Sequence, residues 1–98
     1  MNIIKNHNGG ILTIALEGRL DTTTAPELEQ EIKSSLDGVT DLLMDFAELT
    51  YISSAGLRVL LSAQKKMSKQ GSMKVIHANE MVKEVFDVTG FSDILDIE

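Results

Sequence analysis

The sequence contains no cysteine, no tryptophan and a single proline, and its aromatic residues amount to 4% of the chain. Without cysteine there are no disulfides, thiolate metal ligands or thiol nucleophiles, as is usual in a reducing compartment. The apolar runs are far shorter than the roughly 20 residues that a membrane-spanning helix needs. The N-terminal segment MNIIKNHNGG lacks the apolar core and the cleavage site of a signal peptide. We therefore expect a cytoplasmic protein that does not insert into a membrane.

Basic residues are also scarce. The chain has nine lysines and arginines against 15 aspartates and glutamates, which gives a formal net charge of −6. An acidic surface without basic clusters is repelled by the phosphate backbone of DNA or RNA. We therefore expect no direct contact with nucleic acid, and we expect the partner to be another protein. At 98 residues with 43% hydrophobic residues, the chain is predicted to form one domain, residues 1–98.

The N-terminal part of the chain has the pattern of a β-hairpin. Asn2–Lys5 is predicted to be a short first strand, and Asn8-Gly9 supplies residues that tolerate the backbone of a tight turn. Residues Ile11–Glu17 alternate between apolar and polar side chains, which is typical of a half-buried antiparallel strand. Gly18 is predicted to end this second strand.

A first helix follows the hairpin. Thr24-Ala25-Pro26-Glu27 has the Ser/Thr-x-x-Glu form of a capping box, with the proline in the first turn, where a missing N–H does no harm. The apolar residues that follow recur at helical spacing and predict one buried face, formed by Leu28, Ile32 and Leu36.

The rest of the chain alternates between strands and helices. A strand is predicted over Leu42–Phe46, where Leu42, Leu43, Met44 and Phe46 form a short apolar segment typical of a strand buried on both faces, and a long helix is predicted from Ser54 to Lys69. A strand over Met73–His77, a helix capped by Asn79 and a short edge strand at Ile94–Ile97 complete the chain. The order ββαβαβαβ predicts a small α/β fold, with a mixed sheet of four to five strands and three to four helices.

The switch from strand to helix falls at Ser53-Ser54-Ala55-Gly56. The first N–H groups of a helix lack partners inside the helix, and together with the helix dipole they favour a negative group at this position. A serine hydroxyl there is either an ordinary N-cap or a place to carry a phosphate. The spacing alone leaves both interpretations open.

The sequence gives little support for other kinds of functional site, such as a catalytic, metal or nucleotide site. Asp45 stands where a receiver domain would keep its phosphorylated aspartate, but no acidic pair follows the first strand, so we interpret Asp45 as a turn residue or strand-end cap. His7 and His77 lack metal-ligand spacing. The sequence also lacks the G-x-S-x-G motif of serine hydrolases and the Gly-rich phosphate loop of nucleotide-binding proteins. We expect no catalytic residues, no metal and no cofactor.

Two segments together resemble one known family. Residues 51–58, Tyr-Ile-Ser-Ser-Ala-Gly-Leu-Arg, and residues 17–21, Glu-Gly-Arg-Leu-Asp, resemble the two fingerprints of the STAS domain. This module is shared by sulfate transporters and bacterial anti-sigma-factor antagonists. The distance between the two segments and the order of elements match the family over nearly the whole chain.

The resemblance implies a STAS-like fold and a switch between protein partners. In the antagonists the unmodified form binds an anti-sigma factor that is also a serine kinase, and this binding releases a sigma factor. Alignment on Gly56-Leu57 makes Ser54 the expected phosphate acceptor. Several family members have an aspartate directly before the acceptor, where this chain has Ser53, so Ser53 is the alternative acceptor. A metal-dependent serine/threonine phosphatase is expected to restore the unmodified form.

The resemblance also implies where the partner binds. Asp21 follows the second strand and Ser54 follows the third, and loops at the carboxyl ends of neighbouring parallel strands meet in one place. Asp21 and the threonines after it could also simply cap the first helix. The expected partner-binding residues are Asp21, Thr22, Thr23, Ser53, Ser54, Gly56, Leu57 and Arg58.

A second hypothesis keeps the fold without the switch. STAS domains also occur beside lipid and sulfate transporters, so the chain could be a constitutive scaffold or a subunit of a complex that transports a lipid or an anion. In that case Ser53 and Ser54 are only caps. The two hypotheses differ in whether Ser54→Ala changes regulation.

Overall fold

The computed structural model describes all 98 residues, and it has the element order that the sequence predicts. Five strands and three α-helices follow one another, with one short 3₁₀ helix before the last strand. The elements are β1 (Asn2–Asn8), β2 (Ile11–Leu20), α1 (Ala25–Ser35), β3 (Asp41–Ile52), α2 (Ser54–Met67), β4 (Ser72–Ile76), α3 (Glu80–Thr89), the 3₁₀ helix (Phe91–Asp93) and β5 (Asp96–Ile97). The predicted α/β class and the order ββαβαβαβ are confirmed.

All five strands form one mixed sheet in the order β1-β2-β3-β4-β5, so each strand lies beside its neighbour in sequence. β1 and β2 are antiparallel and are joined by the predicted tight turn, in which Asn8 pairs with Ile11. The other neighbours are parallel, because a helix returns the chain between them. The parallel pairing of β2 and β3 brings the residues that follow these two strands to the same edge of the sheet.

The core lies on one face of the sheet. Alternate residues of β2 and β3 are fully buried, and the pairing of Leu42 with Met73 puts the buried residues of β4 on the same face. Residues of the other face, such as Leu43 and Asp45, are only half-buried. The prediction that the third strand is buried on both faces is therefore wrong: its apolar run alternates in burial, and the helices cover one side. None of the helices is long and apolar enough to cross a membrane.

The strands β2 and β3 are both longer than predicted. β2 does not end at Gly18, which adopts a φ of 108° inside the strand, and β3 continues from Phe46 to Ile52. The β2–β3 register shifts twice, between Ala15 and Glu17 and between Gly18 and Arg19. Such bulges break the alternation of apolar and polar residues, so a prediction from that alternation places the ends of both strands too early.

The third helix begins and ends as predicted. The Asn79 side chain accepts a hydrogen bond from the Val82 N–H at 2.8 Å, and Gly90 ends the helix in the left-handed conformation, with a φ of 81°. The long second helix ends at Met67, two residues before the predicted boundary.

Candidate functional site

The ends of β2 and β3 and the residues that follow them form one edge of the molecule, which we call the rim: residues 19–24, from the end of β2 to the start of α1, and residues 51–58, from the end of β3 into α2. Leu20 pairs with Ile52 in the parallel register, and the Ser53 N–H donates to the Leu20 carbonyl at 2.9 Å. Asp21 and Ser53 therefore leave adjacent strands side by side. The expectation that Asp21 and Ser54 lie on the same rim is confirmed.

Asp21 organises the turn between β2 and α1. Its Oδ1 accepts hydrogen bonds from the Thr23 N–H at 3.0 Å, the Thr23 hydroxyl at 2.7 Å and the Thr24 N–H at 3.2 Å. Its carbonyl accepts from the Ala25 N–H at 2.8 Å. The Asp21 side chain therefore satisfies two N–H groups just before α1, and its carbonyl satisfies the first N–H of the helix, which agrees with the capping interpretation.

The predicted capping box is wrong. The Thr24 hydroxyl donates to the Arg19 carbonyl and accepts from the Asp21 N–H, both at 2.8 Å, so it is not directed at the helix. Thr24 has helical φ and ψ values and makes no side-chain cap. The Glu27 N–H, which a capping box would direct at this hydroxyl, donates instead to the Thr24 carbonyl at 3.0 Å, and the Thr24 hydroxyl links the turn to the end of β2.

The hydrogen bond from the Thr23 hydroxyl, helped by the N–H groups of Thr24 and Thr23, holds the pKa of Asp21 below its usual value, although partial burial opposes this. A pKa that is lower in the folded state than in the unfolded state stabilises the fold above the unfolded-state pKa of about 3.9, and this stabilisation is lost as the pH falls through the folded-state pKa.

We expect Thr23→Val to raise the Asp21 pKa towards its usual value, as measured by carboxyl ¹³C NMR. Thr22→Ala is the control, since Thr22 does not bond to Asp21. An unchanged pKa in Thr23→Val would contradict this assignment.

Ser53 and Ser54 differ sharply in their surroundings. Ser53 occupies the N-cap position with an extended backbone, but its Oγ is buried and makes no hydrogen bond within the protein. Ser54 is the first residue of α2 and is exposed. Neither hydroxyl caps the helix, so the simple capping interpretation of the two serines is not what the structure contains. The solvent-accessible hydroxyl at this helix start is that of Ser54.

Gly56 and Leu57 pack the start of α2 against the protein core. A Cβ at Gly56 would lie 2.7 Å from Leu20 Cγ and 3.0 Å from Ile52 Cγ1, so the glycine allows α2 to begin close against the ends of β2 and β3. The Leu57 side chain is only 5% exposed and belongs to the core. These two residues fix the position of the Ser54 turn and offer little surface to a partner.

Two rim residues were missed by the sequence analysis. The Arg19 guanidinium lies over the Tyr51 ring, 4.1 Å from its centroid, and Arg19 Nε is 3.7 Å from Asp21 Oδ2. Arg19 and Tyr51 are paired in the register, but only after the second bulge. Because both strands were predicted to end before these residues, no sequence signal brought them together. Tyrosine and arginine are the residue types most often central to protein interfaces.

A shallow groove of about 340 Å³ lies beside the rim, between the first turns of α1 and α2. Thr22 and Glu29 line one side, and Arg58 lines the other. Thr22, Thr23, Ser54 and Arg58 are all exposed. The rim thus presents hydroxyl groups, a carboxylate and two guanidinium groups, without an apolar pocket that could enclose a small ligand.

Asp45 and His77 form a pair away from the rim. Asp45 lies inside β3 rather than at a strand end, and its Oδ1 contacts His77 Nδ1 at 2.9 Å and accepts from the Ala47 N–H at 3.0 Å. Burial acts to raise the pKa of Asp45, but the bonds to His77 and Ala47 outweigh it and lower the value. No group of three or more histidine, aspartate or glutamate side chains is arranged to hold a metal ion.

Comparison with known proteins agrees with this architecture. The model of the STAS domain family matches residues 2–98. The anti-sigma-B factor antagonist of Bacillus subtilis strain 168 is 30% identical over 98 residues, covering 99% of this chain and 90% of that protein. The chain therefore belongs to the STAS domain family.

Solved structures show the same fold. An anti-sigma factor antagonist from Mycobacterium paratuberculosis superposes with a TM-score of 0.89 at 23% identity, covering 98% of this chain and 83% of that chain. The Bacillus cell fate determinant SpoIIAA in its phosphorylated form superposes with a TM-score of 0.77 at 17% identity, covering 99% of this chain and 91% of that chain. At these identities the likeness concerns the fold.

Proposed function

We propose that this protein is an anti-sigma-factor antagonist that acts as a phosphorylation-controlled switch rather than as an enzyme. In the unmodified form the rim binds an anti-sigma factor that is also a serine kinase, and the bound kinase releases its sigma factor. The kinase phosphorylates Ser54, which ends the binding, and a metal-dependent serine/threonine phosphatase removes the phosphate. The names of the relatives support the antagonist role.

The observation that carries the proposal is the contrast between the two serines. A kinase must bring a hydroxyl into line with the γ-phosphate of ATP, and this requires access to the oxygen. Ser54 is exposed, whereas the Ser53 Oγ is buried. This supports Ser54 as the acceptor over Ser53.

The position of Ser54 also suits a switch that leaves the fold intact. A phosphate adds about −1.5 to −2 charges and three strong acceptor oxygens. At the first residue of α2 the added charge is favoured by the helix dipole, so we expect the folded state to accept it. The partner-binding surface around Asp21, Thr22 and Thr23, in contrast, gains bulk and charge where a partner packs.

The first test is intact-mass analysis with site-localising fragmentation of the protein purified from its native host. We expect a species heavier by one phosphoryl group, with the phosphate on Ser54. It should disappear in Ser54→Ala and persist in Ser53→Ala, the matched control one residue away. A phosphate on Ser53 would keep the switch and overturn the site. The absence of phosphate in every growth phase would favour the scaffold or transport-complex role.

A further inference from the structure

Arg58 is the rim cation that the folded protein leaves without a partner. The other rim arginine, Arg19, is held between Tyr51 and Asp21. Arg58 is exposed and belongs to none of the ion pairs of the structure, although Glu29 lines the same groove. Glu29 is instead 3.7 Å from Lys33 Nζ. A guanidinium can donate two parallel hydrogen bonds to a phosphate, so the rim contains a phosphate-binding group that nothing else uses.

Helix geometry brings Arg58 towards Ser54. Both residues lie in α2, four positions apart, and side chains at this spacing have Cβ atoms about 5–6 Å apart. Side chains of a helix also incline towards its N-terminus, so a long side chain at position 58 leans over the turn that begins at Ser54. The next cation of α2 is Lys65, which lies about 16 Å from Ser54 along the helix axis. Arg58 is the cation of this helix within reach of a group on Ser54.

We propose that Arg58 binds the phosphate of phosphoserine 54 within the same chain. This inference rests on the proposed function, since it concerns the phosphorylated form of that switch. The interaction forms no covalent bond: the guanidinium N–H groups donate to the phosphate oxygens.

The pairing has a consequence for the switch. In the unmodified form Arg58 is available to a partner at the rim. Phosphorylation of Ser54 withdraws the Arg58 guanidinium from that surface while adding bulk beside it, so one modification removes an attractive group and introduces a repulsive one. Asp21 in the rim and Glu29 in the groove beside it carry carboxylates that repel the phosphate. Asp21 already has Arg19 and Glu29 has Lys33, which leaves Arg58 for the phosphate.

The test uses the full chain with phosphoserine installed at position 54 during synthesis, so that no kinase is needed. The second pKa of phosphoserine is about 6, and ³¹P NMR follows its titration. We expect Arg58 to lower this pKa, because a neighbouring positive charge favours the dianion. Arg58→Gln should raise it by about half a unit or more, and Arg58→Lys should keep part of the shift. Lys65→Gln, the control on the same helix, should leave the titration unchanged.

Equal titration curves for the chain with Arg58 and for Arg58→Gln would overturn the inference, since the helix terminus alone would then set the pKa. A loss of the shift in Lys65→Gln would overturn it as well, because the effect would then be one of net charge. Arg58 is exposed, so amide spectra of both Arg58 variants should show an unchanged fold. The result is independent of whether the native host phosphorylates Ser54, so the inference and the proposed function fail separately.

Discussion

Replacing Gly71 with alanine is expected to destabilise the protein by about 3 kcal/mol or more. Gly71 follows α2, where the chain passes directly over the backbone that precedes β3. A Cβ at this position would lie 1.8 Å from the Thr40 carbonyl oxygen and 2.6 Å from its carbon. The Thr40 oxygen also accepts the Ser72 N–H at 2.9 Å, so moving the backbone apart would break the bond that joins the first residue of β4 to the residue before β3.

Thermal unfolding measures this effect. For a domain of this size, a loss of about 3 kcal/mol lowers the Tm by roughly 12 °C or more. Gly38→Ala is the matched control: Gly38 has a φ of 78° and open space around it, so alanine there costs only backbone strain, about 1–2 kcal/mol. A Gly71→Ala protein no less stable than Gly38→Ala would contradict the close packing of these two segments.

Under the proposed function, phosphoserine at position 54 is expected to weaken binding of the proposed partner, a serine-kinase anti-sigma factor of the host, by roughly 30–150-fold, which corresponds to about 2–3 kcal/mol. The physical reason is that the phosphate adds charge and bulk at the exposed start of α2, beside Asp21. Isothermal titration calorimetry with the purified kinase and ADP, which prevents phosphoryl transfer, measures the difference. Ser54→Ala, which cannot be modified, should bind like the unmodified chain.

The control for this measurement is phosphoserine in place of Ser62. Ser62 is also exposed on α2, about 12 Å further along the helix axis, so it carries the same added charge away from the rim. We expect little change in affinity there. Equal losses at positions 54 and 62 would show that net charge, rather than the rim, controls binding, and equal affinities in all forms would contradict the switch.

The sequence was most informative where one element followed a single period. The alternation in Ile11–Glu17 and the stripe of Leu28, Ile32 and Leu36 correctly predicted a strand and a helix. The stripe is buried, and in the strand every second residue is buried, namely Leu12, Ile14 and Leu16. Asn79 was correctly identified as a cap, because the side-chain oxygen of an asparagine just before a helix can accept a hydrogen bond from an N–H of the first turn. The fingerprint around Gly56 correctly marked the segment of the rim that leads into α2.

The sequence was misleading where two chain segments compete for the same role. Thr24 and Glu27 have the spacing of a capping box, but the Glu27 N–H donates to the Thr24 carbonyl, and the Thr24 hydroxyl bonds to the backbone of Arg19 and Asp21 instead. The two bulges carry β2 and β3 past their apparent ends, and the pairing of Arg19 with Tyr51 depends on them. A bulge inserts an unpaired residue and resets the alternation, which a period-based prediction interprets as the end of the strand.

The sequence by itself determined the fold family, the order of the elements and the serine turn, because these depend on local periodicity and on short motifs. It could not decide between Ser53 and Ser54, which are adjacent in sequence and chemically identical. The tertiary structure separated them: the packing of Gly56 against Leu20 and Ile52 fixes how α2 begins, so that Ser53 keeps an extended backbone and Ser54 is the first helical residue. As a result one hydroxyl is buried and the other is exposed to solvent. Burial depends on what the other strands bring to the turn, and only the assembled sheet supplies that.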